Sequence, residues 1–351
     1  LTARVEQIPL FVLTGFLGSG KTTLLARTLR HPGFARTAVI INEMGEIGLD
    51  HELVQTSSES LIELETGCLC CAVRGDLAVT LCDLLNRRDS GSVMPFERIV
   101  IETSGIADPA PILQLLMTDE GLRRRLNLAG VTTTVDATTA LTTLEREPQA
   151  PRQIAVADRL VITKTDLACG LGEPLTRALR RISPSAELLI ASHGDLDPYR
   201  LFVVTPWEPA RVASALAAWL PEPASAEAEA TSADHAGVTS LSLRLAEPLH
   251  AATLTLLVEA LAEHCGEDLL RLKGIVRLVE VPDRLAVIHG VQHVFHPVEL
   301  LDLDGRLGEN PQSRLVLIGR RLDRGWIEAL IQAIEAEVSE VGTNSDPGGA
   351  R

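Results

Sequence analysis

Lysine is nearly missing from this chain. Of 32 basic side chains in 351 residues only three are lysine: Lys21, Lys164 and Lys273. Arginine and lysine exchange readily on a surface, so a chain that uses arginine almost everywhere should keep lysine where a compact ammonium is required. No apolar run reaches the roughly 18–20 residues that cross a bilayer. No charged segment followed by an apolar one marks a signal peptide in the stretch that begins at Leu1. A membrane is therefore not an expected partner. No basic run appears and the formal net charge is −15, which argues against nucleic acid and suits cationic partners, metal ions included. Internal repeats are missing too. Global disorder is excluded, because 46 % of the residues are apolar and the length leaves room for two domains.

Ile8 to Thr14 reads as a short buried strand running into a Gly-rich loop and an amphipathic stretch, Thr22 to Leu29. Apolar runs recur at Ala38–Ile41, Ile99–Ile101, Gly130–Val135, Arg159–Ile162 and Ala186–Ile190, with helical patterns between most of them. That alternation predicts an α/β fold, a doubly wound and mostly parallel sheet covered on both faces. Composition changes at 221–237, where Pro221-Glu222-Pro223 opens an Ala/Ser/Glu-rich linker. Beyond it the pattern predicts a strand at Thr239–Leu245, a helix at about 251–264, strands near 275–281, 285–289 and 315–318, and a helix from Arg324 to about Val338. The expected organisation is a nucleotide-binding domain over 1–220, a linker over 221–237, a small α+β domain over 238–338 and a frayed tail over 339–351.

Gly15-Phe16-Leu17-Gly18-Ser19-Gly20-Lys21-Thr22 fits G-x-x-x-x-G-K-[ST] in full. In the P-loop NTPase fold the glycines let backbone N–H groups turn toward the phosphates, and the following helix adds its positive N-terminal end. Lys21 is placed to reach the β/γ-phosphates and the Thr22 hydroxyl to ligate Mg²⁺. Ile99-Val100-Ile101-Glu102-Thr103-Ser104-Gly105 is an apolar strand ending in an acid, with a glycine three residues on. Glu102 suits the Mg²⁺ shell, and the Gly105 amide suits a γ-phosphate that comes and goes. Ile106 follows, where a water-orienting glutamine would sit, so slow intrinsic hydrolysis is expected.

Thr163-Lys164-Thr165-Asp166 ends another apolar run and resembles the guanine-reading pattern N-K-x-D, with Thr163 where Asn is usual. The Asp166 carboxylate can accept from guanine N1–H and its 2-amino group. Adenine lacks both donors and would leave it unpaired. Lys164 would lie over the base, and Ser192-His193, after a later strand, could complete the pocket. The nucleotide is therefore read as GTP, hydrolysed to GDP.

Cys68, Cys70 and Cys71 fall within four residues, a poor geometry for disulfides and a good one for a metal. A reducing, cytoplasmic setting is expected. Three thiolates suit Zn²⁺ or another soft to borderline ion. The fourth position stays open to water, Glu46 or a residue of another molecule, and an incomplete site suits transfer better than permanent structure. Cys82, Cys169 and Cys265 read as structural. His289, His293 and His296 read as surface and core residues before they read as a metal set.

Together these residues resemble the CobW-like P-loop GTPases, nucleotide-dependent metallochaperones related to the maturation GTPases of urease and hydrogenase. The resemblance runs through Gly15–Thr23, which adds Thr23 to the nucleotide contacts, then Asn42-Glu43-Met44-Gly45-Glu46, Gly67–Cys71, Glu102–Gly105, Val135-Asp136-Ala137 and Thr163–Asp166. Past the linker it continues in Arg271-Leu272-Lys273-Gly274 and Gly290-Val291-Gln292. It implies a GTPase domain with a first switch at 42–50, a small C-terminal domain, binding of Zn²⁺ (also Co²⁺ or Ni²⁺), and delivery to a client metalloprotein, with a homodimer admitted. Ile41 stands where some close relatives carry a metal-binding glutamate. The linker holds only His235, where many members are histidine-rich. Two other readings compete: a client-specific activator or assembly GTPase whose cysteines are structural, and a metal-free P-loop ATPase or small-molecule kinase. Asp166 and the cysteine triplet argue against the last.

Overall fold

Ile8–Gly15 is apolar at nearly every position, and burial on both faces is what such a run requires. In the computed structural model it forms β1 at the centre of a parallel sheet. The structure describes residues 7–42, 61–63, 72–168, 172–191, 193, 195–202, 237–302 and 312–344. The chain divides into two compact units, Leu1–Glu208 and Pro209–Arg351.

The first unit holds a seven-stranded sheet of β1, β2 (Thr37–Asn42), β3 (Leu61–Glu63), β4 (Arg98–Thr103), β5 (Leu126–Asp136), β6 (Arg159–Thr163) and β7 (Glu187–Ala191). Their order is β3-β2-β4-β1-β5-β6-β7 and every pairing is parallel. The order reverses beside β1, the topological switch point where such sheets open a ligand crevice at the carboxyl ends of their strands. Register aligns those ends: Leu13 pairs Glu102, Gly15 pairs Thr134, and Asp136 pairs Thr163. Leu24 and Leu25 of the helix Lys21–Leu29 are buried with Phe11, Leu13, Val100 and Val161. Each such side chain contributes roughly 1.5–3 kcal/mol by leaving water, so the helix N-terminus is held firmly against the end of β1.

The second unit is an antiparallel sheet of β8 (Val238–Leu245), β9 (Leu269–Arg277), β10 (Arg284–Val291), β11 (Val294–Phe295), β12 (Glu299–Asp302) and β13 (Ser313–Arg320). Leu254, Leu257 and Leu261 recur at helical spacing in the helix Ala251–Cys265. They share a core with Leu272, Val276, Leu315 and Leu317, and with Ile327 and Ile331 of the helix Arg324–Asn344.

Three expectations shift. The strand anticipated near 275–281 begins at Leu269 and ends at Arg277. Arg271 and Lys273 hid its first half, because both are charged and both are buried. The closing helix, expected to stop near Val338 with a frayed tail from 339, runs on to Asn344. Gly342 weakens it by only about 1 kcal/mol, and the first residue that forbids a helix is Pro347. Strands β3, β11 and β12 were not anticipated. The expected linker 221–237 lies, except for Gly237, outside the described residues. No helix among the described residues is long and apolar enough to cross a membrane.

Candidate functional site

The residues at the carboxyl ends of β1, β4, β5 and β6 meet. Gly15, Gly18 and Gly20 all take positive φ, at 141°, 70° and 90°. Gly15 passes so close to β5 that a Cβ there would lie 2.3 Å from Thr134 Oγ1. The loop closes on itself through Ser19 N–H donating to the Phe16 carbonyl at 3.1 Å. Lys21 is buried and donates to the Gly15 carbonyl at 3.0 Å. Its ammonium therefore spans the concave side of the loop. Below, Ser19 and Thr134 hydroxyls lie 2.6 Å apart, and Thr103 donates to Thr14 at 2.8 Å. Buried hydroxyls thus stitch β1 to β4 and the loop to β5.

Thr22 donates to Glu102 Oε1 at 2.6 Å, and Glu102 is 1 % exposed. A hydroxyl and a carboxylate brought together at the start of a helix form an oxygen donor set that suits a hard cation such as Mg²⁺. Beyond Glu102 the chain turns at Gly105, which packs against the phosphate loop: a Cβ at Gly105 would lie 2.7 Å from the Leu17 nitrogen. Only glycine fits there. The Gly105 and Ala107 carbonyls each accept from Gln153 Nε2 at 3.0 Å.

At the end of β6, Thr163 donates to the Ser19 carbonyl at 2.8 Å, tying the Thr163–Asp166 segment to the Gly-rich loop. The departure from asparagine thus keeps a side-chain link between the two motifs. Lys164 has φ 55° and its ammonium lies 2.6 Å from Asp136 Oδ2. Thr138 donates through both N–H and hydroxyl to Asp136 Oδ1, at 2.8 and 2.6 Å. Burial alone would raise the Asp136 carboxyl. The hydrogen bonds from Lys164 and Thr138 outweigh it and hold the group below the ordinary aspartate value. Asp166 faces His193, whose backbone N–H and ring Nδ1 each lie 3.4 Å from its carboxylate oxygens.

The structure therefore brings together Gly15, Gly18, Ser19, Gly20, Lys21, Thr22, Glu102, Gly105, Thr163 and, further along the same edge, Lys164, Asp166 and His193. Thr23 follows Thr22 on the helix Lys21–Leu29. Glu46, Cys68, Cys70, Cys71 and Ser192 lie outside the described residues, as do Cys169, His235 and most of 42–50. Among the described residues no group of three or more His, Cys, Asp or Glu is placed to hold a metal ion. His289 and His296 do meet, with ring centroids 4.6 Å apart, while His293 is exposed in the turn between β10 and β11. Burial pushes His289 well below the ordinary histidine value, and the neighbouring His296, Arg271 and Lys273 push the same way, so it is neutral.

Sequence reasoning gave no role to Asp136 or Gln153. Asp136 lies in the Val135-Asp136-Ala137 match and ends an apolar strand just as Glu102 does, and those were the available signals. Gln153 carries none: it is one polar residue inside a helical pattern.

Comparison with known proteins fits this geometry. Zinc chaperone YjiA of Escherichia coli is 34 % identical over 326 residues, covering 93 % of this chain and 98 % of that protein. Zinc chaperone CobW of a Sinorhizobium species is 30 % identical, covering 95 % and 99 %. The crystal structure of Zn(II)-bound YjiA GTPase from E. coli superposes with a TM-score of 0.72 at 29 % identity, over 94 % of this chain and 99 % of that one. Residues 9–189 match the CobW/HypB/UreG nucleotide-binding domain, and residues 238–335 match the C-terminal domain described for the cobalamin synthesis protein cobW. The chain belongs to the CobW/HypB/UreG family of nucleotide-binding proteins.

Proposed function

We propose that this chain is a GTP-hydrolysing zinc chaperone: it binds GTP at the crevice beside β1, holds Zn²⁺ through Cys68, Cys70 and Cys71, and passes the ion to a client protein according to its nucleotide state. The observation that carries the nucleotide half is the Thr22–Glu102 contact of 2.6 Å at the end of a complete phosphate loop. The zinc half rests on the cysteine triplet and on relatives described as zinc chaperones.

In this reading Lys21 leaves the Gly15 carbonyl for the β/γ-phosphate oxygens, and the loop amides meet the rest of the charge. Thr22 and Glu102 would hold Mg²⁺, which supplies neutralisation of phosphate charge when bound. Asp166 would exchange its contact with His193 for the guanine edge, and Lys164 would cover the base. Preorganised donors aimed at charge that grows in the transition state accelerate transfer. Ile106, 44 % exposed, offers nothing to orient water, and Gln153 is already committed to two carbonyls, so intrinsic turnover is slow. In this reading the GTPase domain spans 1–220, the connection 221–237, and the C-terminal domain runs from 238 through the helix that ends at Asn344.

The test is equilibrium binding of GTP and ATP to the full chain, with phosphate release measured alongside. GTP binds well ahead of ATP, Asp166→Asn erodes that preference, and Lys21→Ala abolishes turnover while the fold persists. Equal affinity for the two nucleotides in the parent would sink the assignment.

A further inference from the structure

Gln153 lies on the helix Gln149–Ala155, 1 % exposed. Its two amide hydrogens are shared between two acceptors, the carbonyls of Gly105 and Ala107, each at 3.0 Å. Two other contacts join the same helix to its surroundings. Thr133 on β5 donates to the Gln153 carbonyl at 2.7 Å, and Arg152 pairs with Asp108 at 2.8 Å. Asp108 in turn accepts from Ala110 N–H at 2.9 Å. One short helix thus grips the turn 105–108 by two peptide carbonyls and one carboxylate, and is itself anchored to the sheet.

Stability alone does not select glutamine at this place. Its Oε1 is buried and finds no hydrogen-bond partner among the described residues. A buried acceptor without a donor disfavours the fold, and methionine would fill nearly the same volume without one. What glutamine adds is orientation. By fixing the Gly105–Ile106 and Ala107–Asp108 peptide planes it holds Gly105 against Leu17 of the phosphate loop, where even one methyl group would clash with the Leu17 nitrogen.

We infer that Gln153 is a positioning residue that presets the Gly105 turn for the terminal phosphate of GTP, so that it contributes to binding of the triphosphate and not of the diphosphate. This rests on the proposed nucleotide reading of the site. The physical content is preorganisation: a loop already held in place loses less freedom when it closes on its ligand. Only a ligand that touches the turn benefits, and a group that favours one liganded state over the other shifts their ratio.

Two variants of the full chain test it. Gln153→Met removes both donors at similar volume. Gln153→Glu sets a carboxylate against two carbonyls. Each is titrated with GDP and with a non-hydrolysable GTP analogue, both with Mg²⁺. GDP affinity stays within about twofold of the parent, while analogue affinity falls roughly tenfold, the scale of neutral hydrogen bonds that act in only one of the two states. Amide exchange at residues 105–108 speeds up in nucleotide-free Gln153→Met, a readout independent of nucleotide; if Gln153→Glu does not fold, Gln153→Met carries the test. An unchanged analogue-to-GDP ratio in folded Gln153→Met, or a parallel fall for both nucleotides, overturns the inference. A parent that binds no guanine nucleotide overturns the functional reading, and unchanged exchange then overturns the positioning role separately.

Discussion

The ammonium of Lys164 sits 2.6 Å from Asp136 Oδ2, across the ends of two neighbouring strands. Asp136 is largely buried and Lys164 is about one-third exposed, with its backbone in the left-handed region. The pair fixes a flexible side chain which, in the proposed reading of the site, covers the base. Asp136→Asn keeps the shape and removes the charge. Affinity for guanine nucleotides should fall roughly three- to tenfold, the scale of one charge-assisted contact at a partly exposed site, with little change in turnover at saturating GTP. Because the carboxyl is held below its ordinary value, its stabilising effect is present above about pH 4 and is lost only as pH falls through the lower folded value. Fluorescent-nucleotide titration checks the affinity.

The phosphate-loop glycines should not be equivalent. Gly15→Ala forces a methyl group to within 2.3 Å of Thr134 Oγ1 and 2.5 Å of the Thr134 carbonyl, at φ 141°. Destabilisation of about 2–3 kcal/mol is expected from such overpacking, with loss of nucleotide binding. At Gly18 nothing lies within 4 Å of the added methyl group, so Gly18→Ala meets only the left-handed backbone penalty of about 1–2 kcal/mol. Urea unfolding of the two variants checks the order.

Thr163 gives a more local test. Thr163→Val removes the donor to the Ser19 carbonyl and should destabilise by about 1–2 kcal/mol by leaving a buried acceptor unpaired. Nucleotide affinity should weaken along with it. Thr163→Ser keeps the hydroxyl and should stay near the parent in both. Parental stability for Thr163→Val, measured by thermal unfolding, would contradict this.

His289 predicts a pH dependence. Burial first, and His296, Arg271 and Lys273 after it, hold its folded value well below the ordinary 6.5. The unfolded chain then binds the proton more readily than the folded one. Stability from this residue is complete above about pH 6.5 and falls as pH drops below it, toward the depressed folded value. His289→Gln should flatten that slope. Melting temperatures of parent and variant between pH 5 and 8 read it directly.

Much of this was legible in the residues. The phosphate loop, the acid ending β4 and the Lys164-Thr165-Asp166 run declare themselves because the chemistry demands fixed types at short spacing. Six of the seven strands of the first unit declare themselves because burial on both faces demands unbroken apolar runs, and the three-residue β3 does not. The first half of strand β9 did not, since Arg271 and Lys273 are buried charges that imitate a surface. Asp136 was visible but had no role until its distance to Lys164 was known. Gln153 was invisible because its partners, Gly105 and Ala107, are backbone atoms 48 and 46 residues away. No side-chain pattern encodes such a contact.

The central claim is that nucleotide state and metal affinity are coupled. Linkage makes the coupling reciprocal: if GTP changes zinc affinity, zinc changes GTP affinity by the same factor. The direct measurement is a chelator-competition titration of the reduced full chain with Zn²⁺, run without nucleotide, with GDP and with a non-hydrolysable GTP analogue, using Cys70→Ser as control. The account predicts zinc affinities that differ between the GDP and analogue states by roughly fivefold or more, and weak binding by Cys70→Ser in all three. Three identical affinities would contradict it, leaving a GTPase with a metal site and no means of handing the ion over.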